Sequence, residues 1–215
     1  MIEALEAATH EVMERLERVR VLPVLSIEDP EQTEDVCRAL LSGGIACIEI
    51  TFRTEAAAAA IARACAVDGM LVGAGTVRSP EQARAALDAG ARLAVAPGLD
   101  EEVVEACRAL ALPFVPGAAT PTEIGRAQAL GCSTVKIFPA SAVGGPAFLR
   151  AVSAVFAGVR FVPTGGVDAS NLGSYLALPS VLACGGSWLC DARLVREGRF
   201  AEIQGLAAEA AALAR

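Results

Sequence analysis

The chain has 215 residues, a formal net charge of −7, and a composition that is 54% hydrophobic but only 4% aromatic. This length suits one large domain that buries most of its surface on folding, and the hydrophobic content excludes a disordered protein. The negative charge argues against general binding of nucleic acid or anionic membranes, although a local pocket can still attract a small anion. We expect a cytoplasmic protein, because no hydrophobic run reaches the ~18 residues of a membrane span and the charged start does not resemble a signal peptide.

Cysteine and histidine, the usual ligands of transition metals, are arranged here without a metal-binding pattern. The seven cysteines form no Cys-x-x-Cys pair, and the chain has one histidine, His10. We therefore expect neither a metal site nor a cofactor. Most of the cysteines are predicted to be small buried hydrophobic residues of a protein in a reducing compartment. His10 falls on a predicted helix surface, which disfavours a catalytic triad built on histidine.

Hydrophobic periodicity predicts one helix followed by a repeated strand–helix unit. Residues 1–18 form the predicted N-terminal helix, because apolar and charged residues alternate there at helical spacing. Each later unit has a short apolar run, a break at Gly, Pro, Ser or Thr, and an alanine-rich helix. The predicted strands are 19–26, 46–52, 71–77, 92–97, 113–116, 134–138, 159–163 and 181–185. The predicted helices begin near Pro30, Thr54, Pro80, Asp100, Pro121, Gly145 and Ala169, and the last one spans 200–213.

Eight strand–helix units in succession predict an α/β protein of the (β/α)8 TIM barrel class, with residues 1–215 in a single domain. The strands are continuous apolar runs, as expected when both faces of a parallel sheet are covered. The extra N-terminal helix is expected to cover the bottom of the barrel. An open, doubly wound parallel sheet is the structural alternative.

Lys136 is the only lysine in the chain, and every other basic side chain except that of His10 is an arginine. It falls inside a predicted buried strand that Pro139 closes. Arginine cannot lose its proton in a protein, whereas a desolvated lysine amine can act as a nucleophile. A surface lysine kept by chance is the alternative, but an unpaired charge in a buried strand is costly. We therefore predict a catalytic role for Lys136.

A glutamate on the second predicted strand is expected to face Lys136. The period of two along a strand places Cys47, Glu49 and Thr51 on one face and the aliphatic residues on the other. Because the aliphatic face meets the helices, Glu49 is predicted to point into the barrel. A purely structural salt bridge from Glu49 to Lys136 or to Arg53 is the alternative.

Two glycine pairs follow the last two predicted strands, within the segments 164–166 and 185–187. In barrels of this class, this is where backbone N–H groups bind phosphate. Most isolated Gly-Gly pairs are only turns. The prediction of a phosphate site therefore depends on finding two such pairs after these two strands. A non-catalytic sugar-phosphate-binding barrel would explain the glycines but not the interior lysine.

Six segments in order from the second strand to the eighth resemble the class I aldolases that cleave 2-keto-3-deoxy-6-phosphogluconate (KDPG), often with activity on 4-hydroxy-2-oxoglutarate (KHG). They are IEITFRTE at 48–55, VGAGTV at 72–77, PGL at 97–99, VKIFPA at 135–140, PTGGV at 163–167 and GGSWL at 185–189. The resemblance implies a (β/α)8 barrel with an N-terminal helix and usually a homotrimer. It implies a lyase of Entner–Doudoroff carbohydrate metabolism that converts a phosphorylated keto acid to pyruvate and glyceraldehyde 3-phosphate. On KHG, the products would be pyruvate and glyoxylate.

The same resemblance assigns roles to eleven residues. It implies that Lys136 forms a Schiff base with the keto carbon and that Glu49 is the general acid/base, acting through a water. The substrate-binding residues would be Arg53 and Thr76 at the pyruvate carboxylate, Pro97 and Phe138 at the pyruvyl carbons, Thr164 at a substrate hydroxyl, and Gly165, Gly166, Gly186 and Ser187 at the phosphate.

Other aldolases are the remaining alternatives. A metal-dependent aldolase would need a cluster of histidines or carboxylates, which this sequence lacks. Within the resembled family, some members cleave the C4-epimeric phosphogalactonate substrate. Those members tend to carry a hydrophobic residue at the position of Thr164, so the threonine favours the gluconate series.

Overall fold

The computed structural model describes residues 2–215, and side chains from residue 5 onward. The helices are α1 Ile2–Val19, α2 Thr33–Ser42, α3 Ala57–Cys65, α4 Pro80–Asp88, α5 Glu101–Ala109, α6 Pro121–Ala129, α7 Gly145–Ser153, α8 Leu172–Leu176, α9 Ala192–Arg196 and α10 Phe200–Leu213. The strands are β1 Val21–Leu25, β2 Cys47–Thr51, β3 Leu71–Gly75, β4 Leu93–Val95, β5 Phe114–Val115, β6 Gly117–Ala118, β7 Thr134–Ile137, β8 Arg160–Pro163 and β9 Cys184–Gly186. Short 3-10 helices cover Pro30–Gln32 and Trp188–Cys190.

The strands form two parallel sheets, which confirms the predicted α/β class. The first sheet has the order β5-β4-β3-β2-β1-β9, and the second has the order β6-β7-β8. Isolated parallel bridges join Phe161 to Val181 and Thr164 to Gly185, so the end of β8 lies beside β9. All residues of β1, β2 and β3 are buried. Burial on both faces explains why these strands are continuous apolar runs rather than alternating ones.

Two predicted strands differ from those in the structure. The predicted strand 113–116 is found only as β5, which ends before Pro116, a residue with no N–H to donate to a sheet. Beyond this proline the chain forms β6, which was not predicted and belongs to the other sheet. The predicted strand 181–185 is shifted, because the N–H of Val181 donates at 2.9 Å to the carbonyl of Leu178 in a turn. The pairing with β1 begins only at Cys184.

Helix starts agree with the capping signals in the sequence. The Ser79 side chain accepts a hydrogen bond from the N–H of Gln82 at 3.3 Å, and Pro80 opens α4. Thr120 and Glu123 form a complete capping box before α6. The five-residue α9 was not predicted, although Asp191 caps it by accepting from the N–H of Arg193 at 2.8 Å. A helix this short carries too little periodicity to be recognised from sequence.

Helix α1 lies against the N-terminal ends of the strands. Its residues Val12 and Leu16 are buried in the core. Glu11 pairs with Arg92 at 2.8 Å, just before β4, and Glu17 pairs with Arg160 at 2.9 Å, at the start of β8. The opposite, C-terminal ends of the strands are therefore left open by this helix. Within residues 2–215, none of the helices combines the length and hydrophobicity needed to cross a membrane.

Candidate active site

A cavity of about 340 Å³ opens at the C-terminal ends of the strands. All eleven residues that the sequence singled out line it. Four further lining residues were missed, namely Val24, Thr51, Arg78 and Val167. Two of these four had a signal in the sequence: Thr51 shares the inward face of its strand with Glu49, and Val167 ends the segment PTGGV at 163–167. A wider groove of about 940 Å³ lies beside α1, at the other ends of the strands.

A buried ion pair occupies the floor of the cavity. Lys136 lies on β7 and Glu49 on β2, in different sheets. The Lys136 amine donates to the two carboxylate oxygens of Glu49 at 3.0 and 3.3 Å. Relative exposure is 5% for Lys136 and 1% for Glu49, so the two charges are almost fully removed from solvent. The contact is direct. A purely structural salt bridge between Glu49 and Lys136, the alternative to a catalytic role for Glu49, predicts the same contact.

Strand alternation and a glycine position this pair. Ile48 and Ile50 flank Glu49 and pack in the hydrophobic core, which turns the carboxylate to the other face of β2. On the neighbouring strand β3, a Cβ atom added to Gly75 would overlap the Glu49 carboxylate. The absence of a side chain at residue 75 is therefore what makes room for the carboxylate.

The walls near the ends of β2 and β3 carry hydrogen-bonding groups held in fixed positions. The Arg53 guanidinium donates through Nε to Thr51 Oγ1 at 3.1 Å, and the Thr51 hydroxyl donates to the carbonyl of Leu25 at 3.1 Å. Thr76 has a φ of +58°, in the left-handed region that β-branched residues rarely adopt. Backbone strain of this kind costs on the order of 1–3 kcal/mol and is concentrated at functional sites.

The two glycine segments form the opposite wall. Gly165 and Gly166 have φ values of +95° and +73°, which L side chains rarely adopt. Their carbonyls accept hydrogen bonds from Ser141 N–H at 3.0 Å and from Asn171 Nδ2 at 2.9 Å. Their own N–H groups have no acceptor within the described part of the chain. Backbone N–H groups left without a partner on a cavity wall suit an anionic ligand.

Phe138 on the cavity wall and the buried cysteines that open β2 and β9 have limited chemical roles. The Phe138 ring centroid lies 5.7 Å from the Lys136 amine, within range of a cation–π contact, and its side chain is 38% exposed at the cavity. Burial raises the pKa of Cys47 and of Cys184 to about 12, so these thiols stay protonated near neutral pH. The amine is thus a better candidate nucleophile than either thiol. Among the described residues, no group of three or more His, Cys, Asp or Glu side chains is placed to hold a metal ion.

Parallel strands that alternate with helices define an α/β protein with a cavity at the C-terminal ends of its strands, and comparisons with known proteins identify the family. The family model for KDPG and KHG aldolase matches residues 12–206. A 2-dehydro-3-deoxy-phosphogluconate aldolase of Treponema pallidum is 48% identical over 198 residues, covering 91% of this chain and 93% of that protein. The chain belongs to the KDPG and KHG aldolase family.

Two solved structures resemble the chain along almost its whole length. A KDPG aldolase from Legionella pneumophila, with pyruvate captured as a covalent carbinolamine intermediate, has a TM-score of 0.88 at 35% identity and covers 91% of this chain and 96% of its own. The Zymomonas mobilis ZM4 aldolase with 3-phosphoglycerate has a TM-score of 0.90 at 35% identity, covering 96% and 98%.

The space left by Gly75 gives a first prediction. Gly75→Ala should displace the Glu49 carboxylate, lengthen its contact with Lys136, and lower the free energy of unfolding by about 1–3 kcal/mol, the usual cost of overpacking. Gly73→Ala is the matched control on the same strand, since a Cβ there meets Leu93 only at an ordinary 3.5 Å. Crystal structures and urea unfolding of both variants make the measurement. An undisturbed ion pair in Gly75→Ala would contradict the prediction.

Proposed function

We propose that the protein is a class I aldolase that cleaves KDPG to pyruvate and glyceraldehyde 3-phosphate, and that it also cleaves KHG to pyruvate and glyoxylate. The observation that carries the proposal is the buried contact between the Lys136 amine and the Glu49 carboxylate inside the cavity. Membership of the KDPG and KHG aldolase family supports both activities.

The chemistry needs an electron sink, which Lys136 would supply. Its neutral amine attacks the C2 keto carbon, and loss of water from the resulting carbinolamine gives an iminium ion. When the C4 hydroxyl gives up its proton, the C3–C4 bond breaks and its electrons move into the iminium as an enamine, releasing the aldehyde. Protonation of the enamine at C3 and hydrolysis of the new iminium release pyruvate and restore the amine. No step requires a metal ion, so we propose a metal-independent mechanism.

Glu49 would move the protons in these steps. Its oxygens lie 3.0 and 3.3 Å from the Lys136 amine, close enough to take the amine's proton before attack. The same carboxylic acid can then protonate the leaving hydroxyl of the carbinolamine. As a carboxylate again, it can accept the C4 hydroxyl proton and return it to the enamine carbon, directly or through a water.

The two walls of the cavity suit the two charged ends of the substrate. We assign the pyruvate carboxylate to Arg53 and Thr76, beyond the ends of β2 and β3. The phosphate is assigned to the opposite wall, where the N–H groups of Gly165 and Gly166 lack acceptors and Gly186 and Ser187 lie close by. Between them, Pro97 and Phe138 would pack on the pyruvyl carbons. Thr164, buried on this wall, would meet a substrate hydroxyl and favour the gluconate series over the C4 epimer.

The architecture proposed for this function is a single-domain, closed (β/α)8 barrel. Supporting closure, β5 and β6 belong to different sheets but are separated only by Pro116, and isolated bridges connect the other edges through Thr164–Gly185 and Phe161–Val181. The contact between Glu49 on β2 and Lys136 on β7 crosses the interior, as expected if the two sheets close into one ring of strands. From the family resemblance we also propose a homotrimer, and the seven free thiols favour a reducing cytoplasm.

Lys136 is tested by trapping. Lys136→Arg should abolish cleavage because the charge is retained while nucleophilicity is lost. After incubation of the wild type with pyruvate and borohydride, with EDTA present throughout, mass spectrometry should find one adduct on Lys136. The N-terminal amine is the internal control, since it is the other aliphatic primary amine of the chain. Full activity of the arginine variant, or an adduct on the N-terminus alone, contradicts the assignment.

The variant Glu49→Gln distinguishes a catalytic role of the Glu49 carboxylate from a purely structural one. The amide should slow exchange of pyruvate methyl protons in deuterated water by a factor on the order of 10²–10⁴, the range for lost general acid/base catalysis. Removing one partner of a buried pair also costs about 3–5 kcal/mol of stability, so exchange is measured on protein shown by circular dichroism to be folded. Exchange at the wild-type rate in the folded variant would mean that the ion pair is structural.

Ser187→Ala tests the phosphate wall. Loss of the hydroxyl should lower kcat/KM for KDPG by the equivalent of about 1.5–3 kcal/mol, the scale of one hydrogen bond to a charged group. With KHG, which has no phosphate, the same variant should be nearly unaffected. Steady-state kinetics on both substrates make the comparison. Equal losses of kcat/KM on KDPG and KHG would show that this segment determines the shape of the whole site and does not bind the phosphate specifically.

A further inference from the structure

Arg78 lines the active-site cavity although no sequence motif points to it. It lies two residues beyond Thr76, immediately before the cap of α4, and its side chain is exposed. The backbone N–H of Arg78 donates to Gln82 Oε1 at 2.7 Å. Its backbone is therefore fixed to the first turn of a helix, which holds the side chain at the edge of the cavity.

The described wall of the cavity carries more positive than negative side chains, because it holds two arginines and a lysine but one carboxylate. Eight arginines elsewhere in the structure form ion pairs with glutamates. Within residues 5–215, Arg53 and Arg78 make no such pair, and Glu49, the one carboxylate on the described wall, is engaged with Lys136. Two uncompensated guanidinium groups thus face the cavity of a protein whose net charge is −7.

We propose that Arg78 is a specificity-determining residue whose charge draws phosphorylated keto acids into the site and favours them over singly charged ligands. This inference rests on the function proposed above, in which the substrate carries a carboxylate and a phosphate dianion. The Coulomb attraction to one guanidinium grows in proportion to the ligand's charge, whereas the net charge of the protein repels such a ligand.

Arg78 acts on the approaching ligand and not as a direct phosphate ligand. It follows β3, whereas the phosphate wall follows β8 and β9, and β2 and β1 lie between β3 and β9 in the sheet. Because the side chain is exposed, water and salt screen its charge over a Debye length of about 8 Å at physiological ionic strength. Its contribution therefore belongs to capture of the substrate, which changes kcat/KM and not kcat.

The test compares Arg78→Gln with Arg84→Gln, which removes the same charge from α4 but lines a separate surface groove. At low ionic strength, Arg78→Gln should lower kcat/KM for KDPG by about three- to tenfold with kcat retained, and this loss should shrink in about 0.5 M salt. Pyruvate, a monoanion, should show a smaller loss in its methyl-proton exchange. Arg78→Lys should restore most of kcat/KM for KDPG, and Arg84→Gln should behave as the wild type does.

Three results would overturn the inference. They are equal kinetics of Arg78→Gln and Arg84→Gln, a loss of the same size for pyruvate and KDPG, and a loss that salt does not change. Failure of the proposed function looks different, because the wild type itself would then neither cleave KDPG nor exchange pyruvate protons. That result would remove this inference together with the proposed function.

Discussion

The buried contact between Lys136 and Glu49 is the constraint on which the rest of the site depends. Each charge has left water, and removing one partner would strand the other in a medium that cannot solvate it. The two strands that supply these residues belong to different sheets, so the pair also ties the sheets together across the interior. Space for the carboxylate comes from the neighbouring strand, where Gly75 has no side chain to occupy it.

The C-terminal ends of the strands carry a strained residue and unpaired backbone donors. Thr76 adopts a left-handed backbone conformation, and Gly165 and Gly166 leave their N–H groups without acceptors. At the other ends of the strands, α1 contributes buried side chains and ion pairs such as Glu17 to Arg160. Arg20 and Ala111, which precede β1 and β5, are left-handed as well, so backbone strain occurs at both ends of the strands. What sets the cavity side apart is the buried ion pair together with these free N–H groups.

Much of this arrangement can be predicted from sequence wherever a local pattern reports directly on burial. The last helix is found as predicted over residues 200–213, and Glu49 faces Lys136 because the period of two along a strand fixes its direction. Strand β6 was missed because two small residues after Pro116 are too few to show a strand pattern in the sequence. Arg78 was missed for another reason: an exposed arginine before a helix cap looks the same in sequence whether it faces solvent or a cavity. Only the path of the loop after β3 decides between them.

Total charge explains why an ion pair, and not an isolated lysine, suits the proposed chemistry. Transfer of the proton from the Lys136 amine to Glu49 turns two opposite charges into two neutral groups, so the net charge of the buried site does not change. An isolated lysine would have to release its proton to distant water before it could attack a carbonyl. Direct contact at 3.0 Å keeps that proton within reach of the later steps, in which a hydroxyl leaves and a carbon is protonated. Arginine cannot take part in such a transfer, so the proposed chemistry requires a lysine at this position.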